Sequence, residues 1–130
     1  MRKVILDTNG FLRLLLNDIP EQADRVEHLI EKAKEEKIII LVPQIIIFEI
    51  NFILQKYYLF ERENIIDKLK SLVAAVYFQI ESRDIFRKAL LVYEEKNISL
   101  VDSFLLAKTQ LENAELFTFD KDLDKLGKAN

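Results

Sequence analysis

The feature that most constrains the fold is a regular alternation between short β-branched runs and longer stretches with apolar residues at helical spacing. The short runs are apolar at consecutive positions, which is typical of parallel strands that are covered by helices on both faces. They predict an α/β fold, a three-layer α/β/α sandwich with a central parallel sheet. The predicted strands are residues 3–7, 38–42, 76–80 and 116–119.

Helices are predicted between these strands wherever apolar residues recur every three or four positions. The second helix has the clearest pattern, with Pro20 suited to its first turn. Its apolar face is predicted to contain Ala23, Val26, Leu29, Ile30 and Ala33. The other helices are predicted over 11–16, from position 44 to about 57, and around 65–72, 86–93 and 104–111. The chain has 130 residues and no Gly/Ser linker, so we expect a single domain over residues 1–130.

Composition excludes several classes of protein. There is no cysteine, so a disulfide framework or a thiolate zinc site is impossible and a cytoplasmic location is expected. The most apolar region, residues 38–60, is broken by six prolyl, polar or charged residues and is not expected to span a membrane. A net charge of -3 argues against a nonspecific nucleic-acid coat but is compatible with a nuclease that has a locally basic rim.

Three aspartates are expected at one edge of the sheet. Asp7 is the last residue of the first apolar strand, and Asp120 directly follows the last strand. In parallel α/β sheets the carboxyl ends of the strands share an edge, where ligands bind. Asp102 lies at the start of the apolar helix in "NISLVDSFLLAKT", and such helices begin near the same edge. We therefore expect the three carboxylates to converge.

Glu49 lies inside the apolar helix "IIIFEINFIL". A helical wheel gathers the polar residues of this helix on one stripe, namely Gln44, Asn51 and Gln55. Glu49 falls on the other side, whose apolar residues are Ile45, Phe52 and Ile53. A carboxylate within an apolar face is costly unless a cation or hydrogen bonds compensate it, which predicts a binding role.

Structural explanations stand beside this hypothesis. Asp7 and Asp120 each precede a helix, and aspartate is among the best N-cap residues. Ser99 and Asp102 resemble a capping box in which Asp replaces the usual Glu. Glu49 could reach solvent by its stem. One shared site explains all four acids together, whereas capping explains them only one at a time.

The donor atoms of such a site would be hard carboxylate oxygens. The single histidine, His28, lies on a charged helix that favours a solvated role, so zinc is disfavoured. Carboxylates suit Mg²⁺ or Mn²⁺, and one or two such ions can activate water for in-line attack on a phosphodiester. Gly10 and Gly127 are the only glycines, which excludes a glycine-rich phosphate cradle.

Three motifs resemble the PIN-domain family of metal-dependent ribonucleases, particularly the small VapC-like toxins of toxin-antitoxin modules: "VILDTNGFL", "VPQIIIFEI" and "SLVDSFLLAKTQLENAELFTFDKDL". The resemblance implies a PIN-like fold and an acidic quartet that holds Mg²⁺ or Mn²⁺. Position by position, the quartet falls on Asp7, Glu49, Asp102 and Asp120, with Asn9 and Thr118 as supporting polar residues.

The resemblance implies a Mg²⁺- or Mn²⁺-dependent endoribonuclease that acts on RNA as a toxin and has a small protein antitoxin. The alternatives are a PIN-domain nuclease in RNA processing or turnover without an antitoxin, and a non-catalytic interaction module with this fold. A homodimer is also expected, because the chain has more aromatic residues around its third helix than a small domain easily hides. They are Phe48, Phe52, Tyr57, Tyr58 and Phe60.

Overall fold

The computed structural model describes residues 1–129, which form two compact units. The first unit is Met1–Glu81 and the second begins at Ser82. The first contains β1 (Arg2–Ile5), α1 (Thr8–Leu16), α2 (Pro20–Lys34), β2 (Ile38–Val42), α3 (Gln44–Lys56), α4 (Arg62–Ala74) and β3 (Phe78–Ile80). The second contains α5 (Arg83–Glu95), α6 (Leu100–Leu111) and α7 (Lys121–Lys128).

The strands of the first unit form one parallel sheet in the order β1-β2-β3. Val4 lies opposite Ile40, and Ile40 lies opposite Phe78. Parallel neighbours need a crossover connection, and each of the two crossovers here contains two helices. The predicted α/β class and parallel sheet are therefore confirmed.

The first strand is shorter and more exposed than predicted. We expected a buried strand over residues 3–7, but β1 ends at Ile5 and three of its four residues are exposed. Ile5 itself is 62% exposed. Among residues 1–129, β1 pairs only with β2 and is an edge strand of the sheet. Leu6, which follows the strand, is buried and leads directly to Asp7.

The prediction of a strand over residues 116–119 is wrong. This segment has no regular secondary structure, and Phe117 and Phe119 are 87% and 92% exposed. A β-strand exists only where a neighbouring strand completes its hydrogen bonds, which an apolar run cannot guarantee. The third strand is also shorter than 76–80: a turn, in which Phe78 N–H donates to the Ala75 carbonyl at 3.4 Å, delays its start.

The buried residues follow the helical periodicity of the sequence. In the first unit the rings of Phe11 on α1 and Phe78 on β3 pack edge to face, with centroids 5.4 Å apart. In the second unit Phe86 on α5 packs on Phe104 on α6 at 5.0 Å. Full burial of such a side chain stabilises the fold by roughly 1.5–3 kcal/mol. Within residues 1–129, the structure contains no helix with the length and apolar character to cross a bilayer.

Candidate active site

Asp7 lies just beyond the carboxyl end of β1 and caps α1. Its Oδ1 accepts a 2.8 Å hydrogen bond from the backbone N–H of Gly10, so the N-cap interpretation of this residue is confirmed. Capping uses only one carboxylate oxygen. Oδ2 has no hydrogen-bond or ion-pair partner among residues 1–129, and the side chain is exposed. Asn9 is exposed as well and lines the same cleft as Asp7.

Glu49 lies in the middle of α3, on a face that was expected to be buried and is exposed in the structure. Its apolar neighbours Ile45 and Phe52 are largely exposed, whereas Asn51 of the supposed polar stripe is buried. The wheel groups residues by face but does not reveal which face meets the core. Glu49 is therefore exposed rather than enclosed, and it has no partner among residues 1–129. Because Glu49 is exposed, the free-energy cost of burying a carboxylate gives no support to a binding role for this residue.

Asp102 lies in the first turn of α6, in the second unit. Its backbone N–H donates to Ser99 Oγ at 3.0 Å, and Ser103 Oγ donates to the Ser99 carbonyl at 2.8 Å. A complete capping box would also require the Asp102 carboxylate to accept from the Ser99 N–H. That second bond is not formed among residues 1–129, so the half-buried Asp102 carboxylate is left without a protein partner. Ser99 is the cap and Asp102 is not.

Asp120 caps α7 in the same way as Asp7 caps α1. Oδ1 accepts from the Leu123 N–H at 3.0 Å, and Oδ2 has no partner among residues 1–129. Thr118 Oγ1 accepts from the Asp120 N–H at 3.1 Å and so fixes the backbone that carries this carboxylate. Two further acids, Asp122 and Asp124, lie in the first turn of α7, where acidic side chains are favoured, and Asp124 pairs with Lys128.

The four acids are divided equally between the units, with Asp7 and Glu49 in the first and Asp102 and Asp120 in the second. Within residues 1–129, neither unit by itself holds three or more histidine, cysteine, aspartate or glutamate side chains grouped as metal ligands. The donor chemistry nevertheless fits a hard divalent ion, because each of the four acids has at least one carboxylate oxygen without a partner among residues 1–129.

The model of the PIN domain matches residues 4–129 of this sequence. The chain belongs to the PIN-domain family. The match confirms the predicted PIN-like, three-layer α/β/α fold. The chain is also similar to a VapC ribonuclease from Aquifex aeolicus (strain VF5), with 24% identity over 124 residues, which cover 95% of this chain and 91% of the relative.

Sequence reasoning did not identify every residue that shapes this PIN domain near its acids. Gly10 donates the hydrogen bond to Asp7 and leaves room for Leu6. It directly precedes the predicted helix over 11–16, and the structure places it inside α1, where alanine is favoured. Glu81, which follows β3, accepts from the Gln44 N–H at 2.9 Å and caps α3 from another element. Arg25 lines the cleft beside Asp7. Glu81 is distant in sequence from Gln44, and Arg25 is distant from Asp7, so no local pattern reports either relationship.

Proposed function

We propose that this PIN domain is an endoribonuclease that depends on Mg²⁺ or Mn²⁺, with Asp7, Glu49, Asp102 and Asp120 as its metal-binding acids. Family membership over residues 4–129 and similarity to a VapC ribonuclease support the nuclease assignment. The observation that carries the proposal is the free carboxylate of Asp102, half-buried on a helix whose cap is already supplied by Ser99. A carboxylate without a structural partner is available for a cation.

The side chains have distinct tasks in this proposal. A divalent ion held by the four acids would supply the Lewis acidity that activates water and stabilises the departing oxygen. Asp7 and Asp120 each use one oxygen to hold a helix N-terminus, so their second oxygens are held in a fixed direction. Thr118 fixes the backbone of Asp120. Asn9, beside Asp7, offers an amide to the substrate.

The cellular role in this proposal is that of the toxin of a toxin-antitoxin module. The similarity to a VapC ribonuclease over 95% of the chain supports this role. A small antitoxin protein would then bind the ribonuclease and control it. We further propose that the protein acts in the cytoplasm, where its RNA substrate is found, as a single domain over residues 1–130.

A homodimer is also proposed. The end of α3 and the residues after it expose an apolar patch, defined as Phe52, Tyr57, Tyr58 and Leu59. Phe52 and Tyr57 meet edge to face at 6.2 Å within this patch, and Leu59 is 80% exposed. Apolar surface of this kind is typical of interaction sites on soluble proteins. The predicted contributors Phe48 and Phe60 are only partly exposed.

The test of the ribonuclease proposal is cleavage of a single-stranded RNA by purified protein, with Mn²⁺, with Mg²⁺ and with excess EDTA. We expect cleavage with either metal and none with EDTA. Asp102→Asn should lose roughly a hundredfold in rate, because its carboxylate would be a metal ligand and loss of an outer-shell partner alone already costs about 10–100-fold. The control is Asp122→Asn, which also removes one negative charge, from the first turn of α7. It should retain wild-type activity. Undiminished cleavage in EDTA, or by Asp102→Asn, would overturn the proposal.

A further inference from the structure

A cleft of about 520 Å³ lies between α1 and α2 beside Asp7. One face of α2 lines it at helical spacing, with Gln22, Arg25, Val26 and Leu29. Opposite them, α1 contributes Asn9, Gly10 and Arg13. All of these residues belong to the first unit, so the cleft is complete within it.

The charges of the cleft favour an anion. Two arginines line it, and Asp7 is the only acidic residue among the lining side chains. Arg13 is already engaged, because its guanidinium lies 3.3 Å from Asp18 and donates to the Tyr58 hydroxyl at 3.4 Å. Arg25 is exposed and has no hydrogen-bond or ion-pair partner among residues 1–129. Its five N–H donors are therefore available to a ligand.

We propose that this cleft binds the nucleotide next to the scissile phosphodiester of a single-stranded RNA, with Arg25 on its phosphate. The inference rests on the proposed function, which brings the scissile bond to Asp7. A guanidinium matches the geometry of a phosphate and forms charge-assisted hydrogen bonds with it.

The remaining lining fits the rest of a nucleotide. Val26 and Leu29 give an apolar wall for a base, whereas the amides of Asn9 and Gln22 can pair with a ribose 2′-hydroxyl or a base edge. An apolar wall has no hydrogen-bonding pattern of its own. The cleft therefore selects RNA chemistry more strongly than it selects one base.

The experiment measures binding of a short fluorescent single-stranded oligoribonucleotide by anisotropy, in EDTA and over a range of KCl concentrations. For single strands each phosphate contact contributes about 0.7 to the slope of log affinity against log salt. Arg25→Gln should therefore lower the magnitude of the slope by about 0.7 and weaken binding roughly tenfold. Arg25→Lys keeps the charge and should restore the slope. Wild-type affinity and slope in Arg25→Gln would overturn the inference.

The matched control is Arg2→Gln. It removes the same charge from an exposed residue at the amino end of β1, the opposite end of that strand from Asp7. Its salt slope should equal that of wild type. If Arg25→Gln and Arg2→Gln lower the magnitude of the salt slope equally, the effect comes from overall charge, and the inference is overturned.

Cleavage assays separate this inference from the proposed function. With Mn²⁺, Arg25→Gln should raise KM roughly tenfold and leave kcat nearly unchanged. The reason is that Arg25 binds a neighbouring nucleotide and does not contact the reacting bond itself. Wild-type cleavage with an unchanged KM in Arg25→Gln would overturn the cleft proposal alone. No cleavage by wild type, together with a lowered binding slope in Arg25→Gln, would overturn the nuclease proposal and support the cleft as an RNA site.

Discussion

Gly10 donates its backbone N–H to Asp7 Oδ1 at 2.8 Å, and the Leu6 side chain occupies the space that a β-carbon at position 10 would need. A β-carbon at position 10 would approach Leu6 Cγ to 2.8 Å and Asp7 Oδ1 to 3.4 Å. Leu6 is buried, so its side chain has little room to move away. Gly10 therefore holds the Asp7 carboxylate and also leaves space for Leu6, the residue between β1 and Asp7.

The first prediction is that Gly10→Ala destabilises the protein. Alanine improves helix propensity by up to about 1 kcal/mol, but overpacking of a buried contact costs roughly 1–3 kcal/mol. We expect a net loss of about 1 kcal/mol in the free energy of unfolding, measured by urea denaturation. Gly127→Ala is the control, because a β-carbon there would meet its nearest neighbour at 3.6 Å, an ordinary contact. A more stable Gly10→Ala variant would contradict this packing argument.

The second prediction separates the cap of α6 from its acid. Ser99→Ala removes the hydroxyl that accepts from the Asp102 N–H and should lower the free energy of unfolding by about 1 kcal/mol. The variant retains the Asp102 carboxylate, so the rate of RNA cleavage below the melting transition should stay within a few-fold of wild type. Urea denaturation and a cleavage assay check the two parts. A stability equal to that of wild type would show that this cap contributes nothing.

The sequence predicted the local structure around the acids better than it predicted the sheet. Capping depends on residues three positions apart, so the roles of Asp7 and Asp120 at their helices could be predicted from the sequence alone. The segment 116–119 looked equally convincing as a strand. Strand formation, however, depends on a partner that is distant in sequence, and no local pattern reports whether that partner is present.

The difference between local and long-range interactions also explains why the burial of Glu49 was predicted wrongly. A helical wheel correctly placed it beside Ile45 and Phe52, because those relationships are local. Which face of α3 packs on the core is decided by other elements, and the structure exposes the face that was expected to be buried. The assignment of Glu49 as a metal ligand therefore depends on the PIN-domain motif and not on the cost of burial.

The third prediction concerns the apolar patch of Phe52, Tyr57, Tyr58 and Leu59. Light scattering at micromolar concentration should show a dimer for wild type, and a monomer for a variant that combines Phe52→Glu with Tyr57→Glu, since like charges at an interface between two copies repel. Leu91→Glu changes an apolar residue on α5 that is about as exposed as Phe52 and should remain dimeric. A monomeric wild-type protein would disprove the proposed dimer.

The fourth prediction separates metal binding from capping at Asp7 and Asp120. Asparagine caps a helix about as well as aspartate, because its side-chain oxygen accepts the same hydrogen bond. Asp7→Asn and Asp120→Asn should therefore unfold within about 0.5 kcal/mol of wild type in EDTA. A ligand that binds only the folded protein stabilises it by about 2.7 kcal/mol at a hundredfold excess over its dissociation constant. Wild type should gain this stabilisation from Mn²⁺.

In the Asn variants, the loss of one charged carboxylate oxygen should remove most of that Mn²⁺ stabilisation and reduce RNA cleavage roughly a hundredfold. Asp122→Asn, an exposed first-turn acid of α7, is the matched control and should keep both. The measurement is the midpoint of urea denaturation with and without Mn²⁺, beside a cleavage assay. If both Asn variants retain the Mn²⁺ shift and the activity, Asp7 and Asp120 act only as caps, because capping is the one property that the substitution preserves.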